Sequence, residues 1–145
     1  MEGMSTIVKK VTQLMAAIIF MFGIYIILHG HLTPGGGFAG GVLIAGSFIL
    51  LILAFGSSTL KLRKEASGSS NTESVGILMV VILAIMAMLF SAKVFFFNYL
   101  PKGEAGELLS AGVIPLYNIF IGIEVAGAIL TIFLALVIFK EESSK

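Results

Sequence analysis

Residues 29–41, His-Gly-His-Leu-Thr-Pro-Gly-Gly-Gly-Phe-Ala-Gly-Gly, lie between two long apolar runs. A continuous membrane helix does not contain such a stretch, because Pro34 lacks a backbone donor and disfavours a helical conformation in Thr33 before it. The three glycines that follow allow backbone angles closed to other residues. We therefore predict that the chain reverses here between two helices.

The composition around this turn is that of an integral membrane protein. The chain has 145 residues, of which 58% are hydrophobic and 12% charged, and its mean hydropathy is +1.09. These values lie well outside the range of ordinary soluble domains. The net charge of +1 and the scattered basic residues give no indication of a nucleic-acid partner. Because cysteine is absent, disulfides, thiolate metal sites and thiol catalysis are excluded.

Four apolar runs are long enough to cross a bilayer core of ~30 Å, which needs about 20 helical residues. We predict an all-α membrane protein with a single domain of four transmembrane helices, at residues 11–28, 38–60, 75–97 and 113–139. The polar, Ser-rich segment from Lys61 to Glu73 is expected to be a solvated loop. Residues 98–112 are expected to form a second polar connection.

The distribution of basic residues predicts the orientation. If the first helix starts in the cytoplasm, Lys102 lies on the opposite side, with Lys93 in the helix that approaches it. All the other basic residues then lie on the cytoplasmic side: Lys9, Lys10, Lys61, Arg63, Lys64, Lys140 and Lys145. The positive-inside rule thus predicts cytoplasmic N- and C-termini in a multi-pass protein of the cell membrane.

Glu124 is the leading functional candidate, because it lies near the middle of the fourth apolar run. An ionisable group at that depth must be paired, neutralised or hydrated. Its helical face is partly polar, and includes Tyr117, Ile121, Gly127, Ala128 and Thr131. Glu124, Tyr117 and Thr131 are therefore candidates for an ion pathway. One role that the Glu124 carboxylate suits is the transient binding of a sodium ion. The alternative is a hydrogen bond or ion pair that fixes helix packing.

Lys93, His29 and His31 are further candidates for the ion pathway. The Lys93 side chain either extends to the outer water or pairs with Glu124. The spacing of the two histidines suits no metal motif, and we predict no metal site. Imidazole titrates near neutral pH and can relay protons, or it can bond the free carbonyls at the end of the first helix. Both readings stay open.

Small residues recur every four positions after the turn, at Gly37, Gly41 and Ala45 and again at Gly36 and Gly40. Such a face allows another backbone to approach closely, which favours membership of an assembly. The run lacks the Gly-Lys-Ser/Thr ending of a phosphate-binding loop, so nucleotide binding is rejected. We find no catalytic triad or carboxylate dyad, and aspartate is absent. We therefore predict a chain without catalytic activity or cofactor.

The stretch from Gly30 to Gly41, in a four-helix chain of this length, resembles the MnhB/MrpB-type subunit of the Mrp-type multisubunit sodium/proton antiporters. A similar module occurs in energy-converting membrane-bound hydrogenases and related complex I-like respiratory complexes. The resemblance implies a small subunit without a redox centre, packed in the bilayer against larger subunits that move Na⁺ and H⁺. The positions that match the motif are His31, Pro34, Gly35, Gly36, Gly37, Phe38, Gly40 and Gly41. Residues 115–118, Pro-Leu-Tyr-Asn, also resemble the family, without an assigned task.

The functional hypothesis is a membrane subunit of an Mrp-like sodium/proton antiporter module, either in a stand-alone antiporter or in the membrane arm of a hydrogenase-type respiratory complex. One alternative is a self-contained four-helix cation exporter that acts as a homodimer. The absence of tryptophan for a cation-stacking pocket counts against that alternative. The other alternative is a purely structural scaffold subunit.

Overall fold

The structure, a computed structural model, describes residues 4–56, 62–91, 94–104, 106–108 and 110–143. Its helices are α1 (Thr6–Leu28), α2 (Gly36–Phe55), α3 (Leu62–Ser91) and α4 (Ile114–Ser143). Each contains a segment long and apolar enough to cross a membrane. None of the residues in these ranges forms a strand. The predicted fold class, an all-α membrane protein of four helices, is confirmed.

Helix α4 is the central element of the bundle. Helices α1 and α2 form an antiparallel pair, in which the Met4 amide donates to the Ala54 carbonyl oxygen at 2.9 Å. Helix α4 packs against α2 in the same direction and against α3 in the opposite direction. Within the described residues, α3 packs against no helix other than α4. We call the end with the α1–α2 turn and the α3–α4 loop the turn side, and the opposite end the terminal side.

The contacts between α2 and its neighbours consist largely of glycine backbone. A Cβ atom on Gly40 would lie 2.7 Å from the Gly23 carbonyl oxygen of α1. A Cβ atom on Gly41 would lie 2.7 Å from the Gly122 carbonyl oxygen of α4 and 2.9 Å from Val125 Cβ. The two small-residue stripes of α2 therefore pack against helices of the same chain. The stripes are filled internally, so they give no evidence for a neighbouring subunit.

Large apolar side chains cover the outside of the bundle instead. Leu14, Leu89 and Leu136 are 65%, 76% and 64% exposed. The buried positions include many small residues, such as Ala45, Ala84 and Ala87 at 0% exposure. This distribution suits a protein surrounded by lipid, because lipid tails solvate exposed leucine and the helices gain by close approach.

The predicted reversal falls between His29 and Gly35. His29 is the C-terminal cap of α1, and its carbonyl oxygen accepts hydrogen bonds from the Leu32 and Thr33 amides at 2.8 and 2.9 Å. Gly35 and Gly36 have φ angles of +149° and +83°, which side chains with a Cβ rarely adopt. Glycine at these positions lets α2 begin at Gly36, two residues before the predicted start.

The predicted loop from Lys61 to Glu73 is wrong for its described part, because α3 begins at Leu62. Hydroxyl groups in the first half of α3 bond to carbonyl oxygens within the helix. Ser69 donates to Ala66 at 3.0 Å, Thr72 to Gly68 at 2.8 Å, and Ser74 to Ser70 at 3.0 Å. Because these hydroxyls need no water, a Ser-rich sequence continues the helix.

The other helix limits differ by a few residues from the prediction. Helix α1 begins at Thr6 rather than residue 11, and α4 extends to Ser143 rather than residue 139. Helix α2 ends at Phe55 rather than residue 60, because Gly56 has a φ of +84°. Helix α3 ends at Ser91 rather than residue 97, and the chain turns at Phe95 and Phe96, where Phe96 has a φ of +62°.

The glycine contact between α2 and α4 predicts opposite outcomes for two alanine substitutions. We expect Gly41→Ala to lower the free energy of unfolding by about 1–3 kcal/mol, because the added Cβ meets backbone and Val125. Gly46→Ala in the same helix meets nothing within 4 Å, and we expect no loss. Thermal unfolding of the two variants in detergent, followed by circular dichroism, measures the difference. Equal stability of the two variants would contradict the contact.

Candidate ion-pathway site

Glu124 lies where α4 comes closest to α3. A Cβ atom on Gly76 of α3 would lie 2.7 Å from Glu124 Cβ and 2.8 Å from its Cα. One turn further along α4, a Cβ atom on Gly127 would lie 2.8 Å from the Glu73 nitrogen and 2.8 Å from the Ser69 carbonyl oxygen. Each helix therefore places a glycine opposite a glutamate of the other helix.

Glu73 is a residue that the sequence analysis placed at the end of a solvated loop. The structure places it in α3, inside the apolar span Ala66–Phe90. It lies one helical turn, about 5 Å, from Gly76, the residue that faces Glu124. Glu73 is therefore a second glutamate in the helix pair that contains Glu124. The three- and four-residue spacing of Ser69, Glu73 and Gly76 was the signal that could have revealed a helical face.

Neither glutamate side chain has a hydrogen-bond or ion-pair partner among the residues that the structure describes. Lys140 is on the same helix as Glu124 but about 24 Å along its axis, too far for contact. Lys93 lies outside the described residues, so its pairing with Glu124 stays a prediction. The α3 residue opposite Glu124 is Gly76, and α3 continues for about 22 Å beyond it to Ser91.

A hydroxyl pair lies one turn from Glu73 on the terminal side. The Ser69 and Thr131 hydroxyl oxygens are 2.8 Å apart, and Ser69 is buried. Ser69 also donates to the Ala66 carbonyl oxygen at 3.0 Å, and Thr131 to that of Gly127 at 2.8 Å. Thr131 thus lies on the Glu124 face as predicted from the helical spacing, and it contacts α3 directly.

Tyr117 lies on the same face of α4, two turns from Glu124 on the turn side. Its ring packs against that of Phe96, with centroids 5.4 Å apart. Its hydroxyl is buried and has no hydrogen-bond partner within the described part of the chain. Because a buried polar atom normally has a partner, an unpaired hydroxyl here indicates a position for water or for a group from another chain.

The two histidines have different environments. His29 Nδ1 donates to the Tyr25 carbonyl oxygen at 3.1 Å, and its ring stacks on that of Tyr25 at 4.1 Å. This is the geometry expected if His29 bonds a free carbonyl group at the end of α1, which is the alternative to proton relay. His31 Nε2 donates to the Glu107 carbonyl oxygen at 3.3 Å, which links the α1–α2 turn to the α3–α4 loop. His31 Nδ1 is buried, and none of the described residues is its hydrogen-bond partner.

Asn118 brings the glycine-rich turn onto the start of α4. Cβ atoms on Gly30 and Gly36 would lie 2.8 Å from its Nδ2 and 3.3 Å from its Oδ1. A Cβ atom on Gly37 would meet the Asn118 carbonyl oxygen. The side-chain amide therefore needs two positions without side chains around it, Gly30 and Gly36, and its buried Nδ2 has no acceptor among the residues that the structure describes. This contact assigns a packing role to Asn118, the last residue of the segment 115–118.

Two further motif residues, Pro34 and Phe38, are exposed. Pro34 is exposed at the turn, and Phe38 is 65% exposed on the outside of α2. Neither therefore lines the contact between α3 and α4.

Asn98 is a structural residue that the sequence analysis missed. Its Nδ2 donates to the Ala111 carbonyl oxygen at 2.9 Å, and its Oδ1 accepts from the Val113 amide at 2.9 Å. These bonds join the loop after α3 to the start of α4. Asparagine is common in loops, so the sequence offers no signal that distinguishes this one.

A cavity of about 490 Å³ lies between all four helices. It is bordered by Phe20 of α1, Phe48 of α2, Ser69 and Thr72 of α3, and Ala126 of α4, among others. Apart from the two hydroxyl groups its lining is apolar. Helical positions place Glu73 and Glu124 on the other edge of the α3–α4 contact.

The sequence model of a family described as "Domain related to MnhB subunit of Na+/H+ antiporter" matches residues 7–131. The chain belongs to the MnhB family. Proteins assigned as antiporter subunit mnhB2 are 31% identical in Staphylococcus haemolyticus and 32% identical in Staphylococcus aureus. Each of these alignments covers 94% of this chain and 96% of the relative.

Two longer proteins extend the MnhB-family comparison. An uncharacterized protein of Methanocaldococcus jannaschii is 34% identical over 86% of this chain. A chain in the structure of the membrane-bound sulfane sulfur reductase, an archaeal respiratory membrane complex, is 32% identical over 89% of this chain, with a TM-score of 0.73. This MnhB-family chain spans about half of both proteins, 49% and 56% of their lengths. It is a multi-pass membrane protein with the fold of that chain.

The register between α3 and α4 predicts a specific cross-link in this MnhB-family chain. Because the chain contains no cysteine, the double variant Ser69→Cys, Thr131→Cys has two thiols, at positions whose hydroxyls are 2.8 Å apart. We expect an intramolecular disulfide under mild oxidation, measured as protection from a maleimide that changes gel mobility. The control pair Ser70→Cys, Thr131→Cys moves one thiol to an exposed position on α3 and is expected to stay reduced. A solvated loop at residues 61–73 would give no difference between the pairs.

Proposed function

We propose that this chain is a membrane subunit of an Mrp-like sodium/proton antiporter module. The module stands alone or forms part of the membrane arm of a redox-driven respiratory complex. The observation that carries the proposal is the family match over residues 7–131, which includes both the glycine-rich turn and Glu124. The membership of a related chain in a respiratory membrane complex supports the second setting.

Glu124 is the residue to which we assign the ion contact. It lies in an apolar span without a counter-charge from the described residues, and intramembrane carboxylates in such positions usually serve transport. Na⁺ and H⁺ are then the transported ions, and the chain needs no cofactor. Tyr117 and Thr131 extend the polar face of α4 in both directions from Glu124, and His31 lies at the turn side. Transport rather than catalysis is the role that the antiporter relatives support.

The glycine-rich motif serves this role by placing α4. Asn118 packs between Gly30 and Gly36, so the turn fixes where α4 begins. We propose that the turn side faces outward and the termini lie in the cytoplasm, as the distribution of basic residues indicates. Larger membrane subunits of the complex then surround the exposed faces of α1 and α3.

The homodimeric exporter is the second candidate. An intramembrane carboxylate without a partner among the described residues of its own chain also suits a site shared by two copies. The scaffold alternative requires that Glu124 affects assembly alone. The following two experiments separate these functions.

Replacement of the Glu124 carboxylate tests its part in transport. We expect Glu124→Gln to lower sodium-dependent proton transport in membrane vesicles by at least about tenfold, because the amide cannot bind and release a proton at this site. The complex is expected to assemble with unchanged composition. Glu104→Gln, at an exposed position of the α3–α4 loop, is the matched control and should transport normally. Normal transport by assembled Glu124→Gln would leave Glu124 a structural role.

Extraction in a mild detergent followed by native mass measurement tests the assembly. We expect this chain in a hetero-complex with other membrane subunits, because the fold leaves α3 packed against α4 alone among the described helices. A complex of two copies without other proteins is the result that the exporter predicts. That result would replace the proposed function.

A further inference from the structure

We propose that the first half of α3, residues 62–74, lines a water-filled cleft that opens at the terminal side and reaches the centre of the bilayer. We call this stretch the polar half of α3. A neighbouring membrane subunit forms the other wall of the cleft. That subunit and the use of the cleft by Na⁺ and H⁺ rest on the proposed function. The presence of water rests on the depth and polarity of the described residues.

Contacts with α4 place the polar half of α3 at the centre of the bilayer. A Cβ atom on Gly127 would lie 2.8 Å from the Ser69 carbonyl oxygen and 2.8 Å from the Glu73 nitrogen. Gly127 is the middle residue of the apolar span Ile114–Lys140. Because that span crosses the membrane, Ser69 and Glu73 lie at the depth of the bilayer midplane.

Large apolar side chains on other helices indicate that the bilayer continues well beyond this depth towards the terminal side. On α4, Phe139 is 72% exposed and lies about 12 Å closer to the terminal end than Thr131, which contacts Ser69. On α1, Ile7 is 78% exposed and lies about 20 Å closer to that end than Phe20, which borders the same cavity as Ser69. The polar half of α3 is therefore surrounded by bilayer and does not project from it.

The polar half of α3 nevertheless has no apolar side chain over two helical turns. Residues 67–74 read Ser-Gly-Ser-Ser-Asn-Thr-Glu-Ser, so polar residues and glycine surround the helix on every side. Beyond them the surface changes abruptly, because Val75 and Leu78 are 56% and 55% exposed. The exposed polar side chains before this change are Ser67, Ser70, Asn71, Thr72 and Ser74.

Asn71 is the residue that most clearly needs a polar environment. Its side chain is exposed, and its amide has no hydrogen-bond partner among the described residues. The amide has two N–H donors and a carbonyl acceptor, and hydrocarbon offers a partner to none of them. Glu73 in the same turn is a charged group at the same depth, and such groups face the bundle interior or a water-filled cavity. Lipid is therefore excluded as the neighbour of this surface.

Water suits this surface better than a closely packed helix. A docking helix needs polar groups on one face of α3, whereas the polar half is polar all round, which is typical of helices in contact with water. The polarity also continues through Ala66 to residues 63–65, Arg-Lys-Glu, at the start of α3. The cleft is therefore open at the terminal side and closed at Val75.

The cleft supplies an access route to the middle of the membrane. Its closed end lies within one helical turn of Gly76, the residue that packs against the backbone of Glu124. An ion that enters from the terminal side crosses half of the bilayer in water. The other half of the path lies beside the apolar part of α3.

Cysteine accessibility tests the cleft in membrane vesicles that contain the intact complex. Because this chain has no cysteine, Ser70→Cys, Asn71→Cys and Ser74→Cys each introduce one thiol, at exposed positions where a side chain of this size is tolerated. A charged, membrane-impermeant methanethiosulfonate reacts with the thiolate, and peptide mass spectrometry of this chain measures the labelling. We expect all three to react within about tenfold of the rate of Ser5→Cys, because a thiolate forms in water. Ser5 is exposed before α1 on the terminal side.

Two matched controls separate a cleft from a helix that leaves the membrane. Leu78→Cys lies on α3 one turn past Ser74, and Leu136→Cys lies on α4 about 8 Å closer to the terminal end than Thr131. We expect both to react at least about a hundredfold more slowly than Asn71→Cys, because lipid excludes the reagent and the thiolate. Glu104→Cys marks the turn side and should react only from the side opposite to Ser5→Cys.

Three outcomes would overturn the cleft. Protection of all three cysteines of the polar half is expected if a helix of another subunit packs directly against them. Equal reactivity of Leu136→Cys and Asn71→Cys would place this end of the whole bundle in bulk water. Reaction of Asn71→Cys from the side that labels Glu104→Cys would place the opening at the turn side. If labelling occurs as described and the labelled complex transports normally, the cleft stands and its use by the transported ions fails.

Discussion

The structure depends on the direct contact of helix backbones along α4. Gly37 and Gly41 bring α2 against one face of α4, and Gly76 brings α3 against another. In lipid the hydrophobic effect does not drive two helices together, so their association relies on close packing over many atoms. These glycines therefore set how far apart the helices lie, and with that the distances between polar groups on neighbouring helices.

The same constraint links the family motif to the position of α4, although the motif lies far from Glu124. The amide of Asn118 fills the space that Gly30 and Gly36 leave open, which fixes the first turn of α4 relative to the α1–α2 turn. His31 and Asn98 add hydrogen bonds to the same end of the bundle. A displacement of the first turn of α4 would carry Glu124 with it, because a helix transmits such a shift along its length. The motif therefore fixes the position of the helix that contains Glu124.

The sequence predicts part of this arrangement for identifiable physical reasons. Pro34 and the glycines after it mark the first reversal, and the apolar runs are long enough to identify four spans. The start of α3 was missed because hydropathy treats Ser69 and Thr72 as polar, although their hydroxyls bond to carbonyl oxygens of the same helix. Glu73 was misplaced with them. The partners of the glycine stripes also escape prediction, since any helix can fill a face without side chains.

The hydroxyl pair of Ser69 and Thr131 has a property that follows from counting its hydrogen atoms. The two oxygens take part in three close contacts, one with each other and one each with a carbonyl oxygen, but they carry two hydrogens between them. One contact is therefore always without a hydrogen. Because the vacancy can move among the three contacts by rotation of the hydroxyls alone, the local dipole can reverse while every heavy atom stays in place.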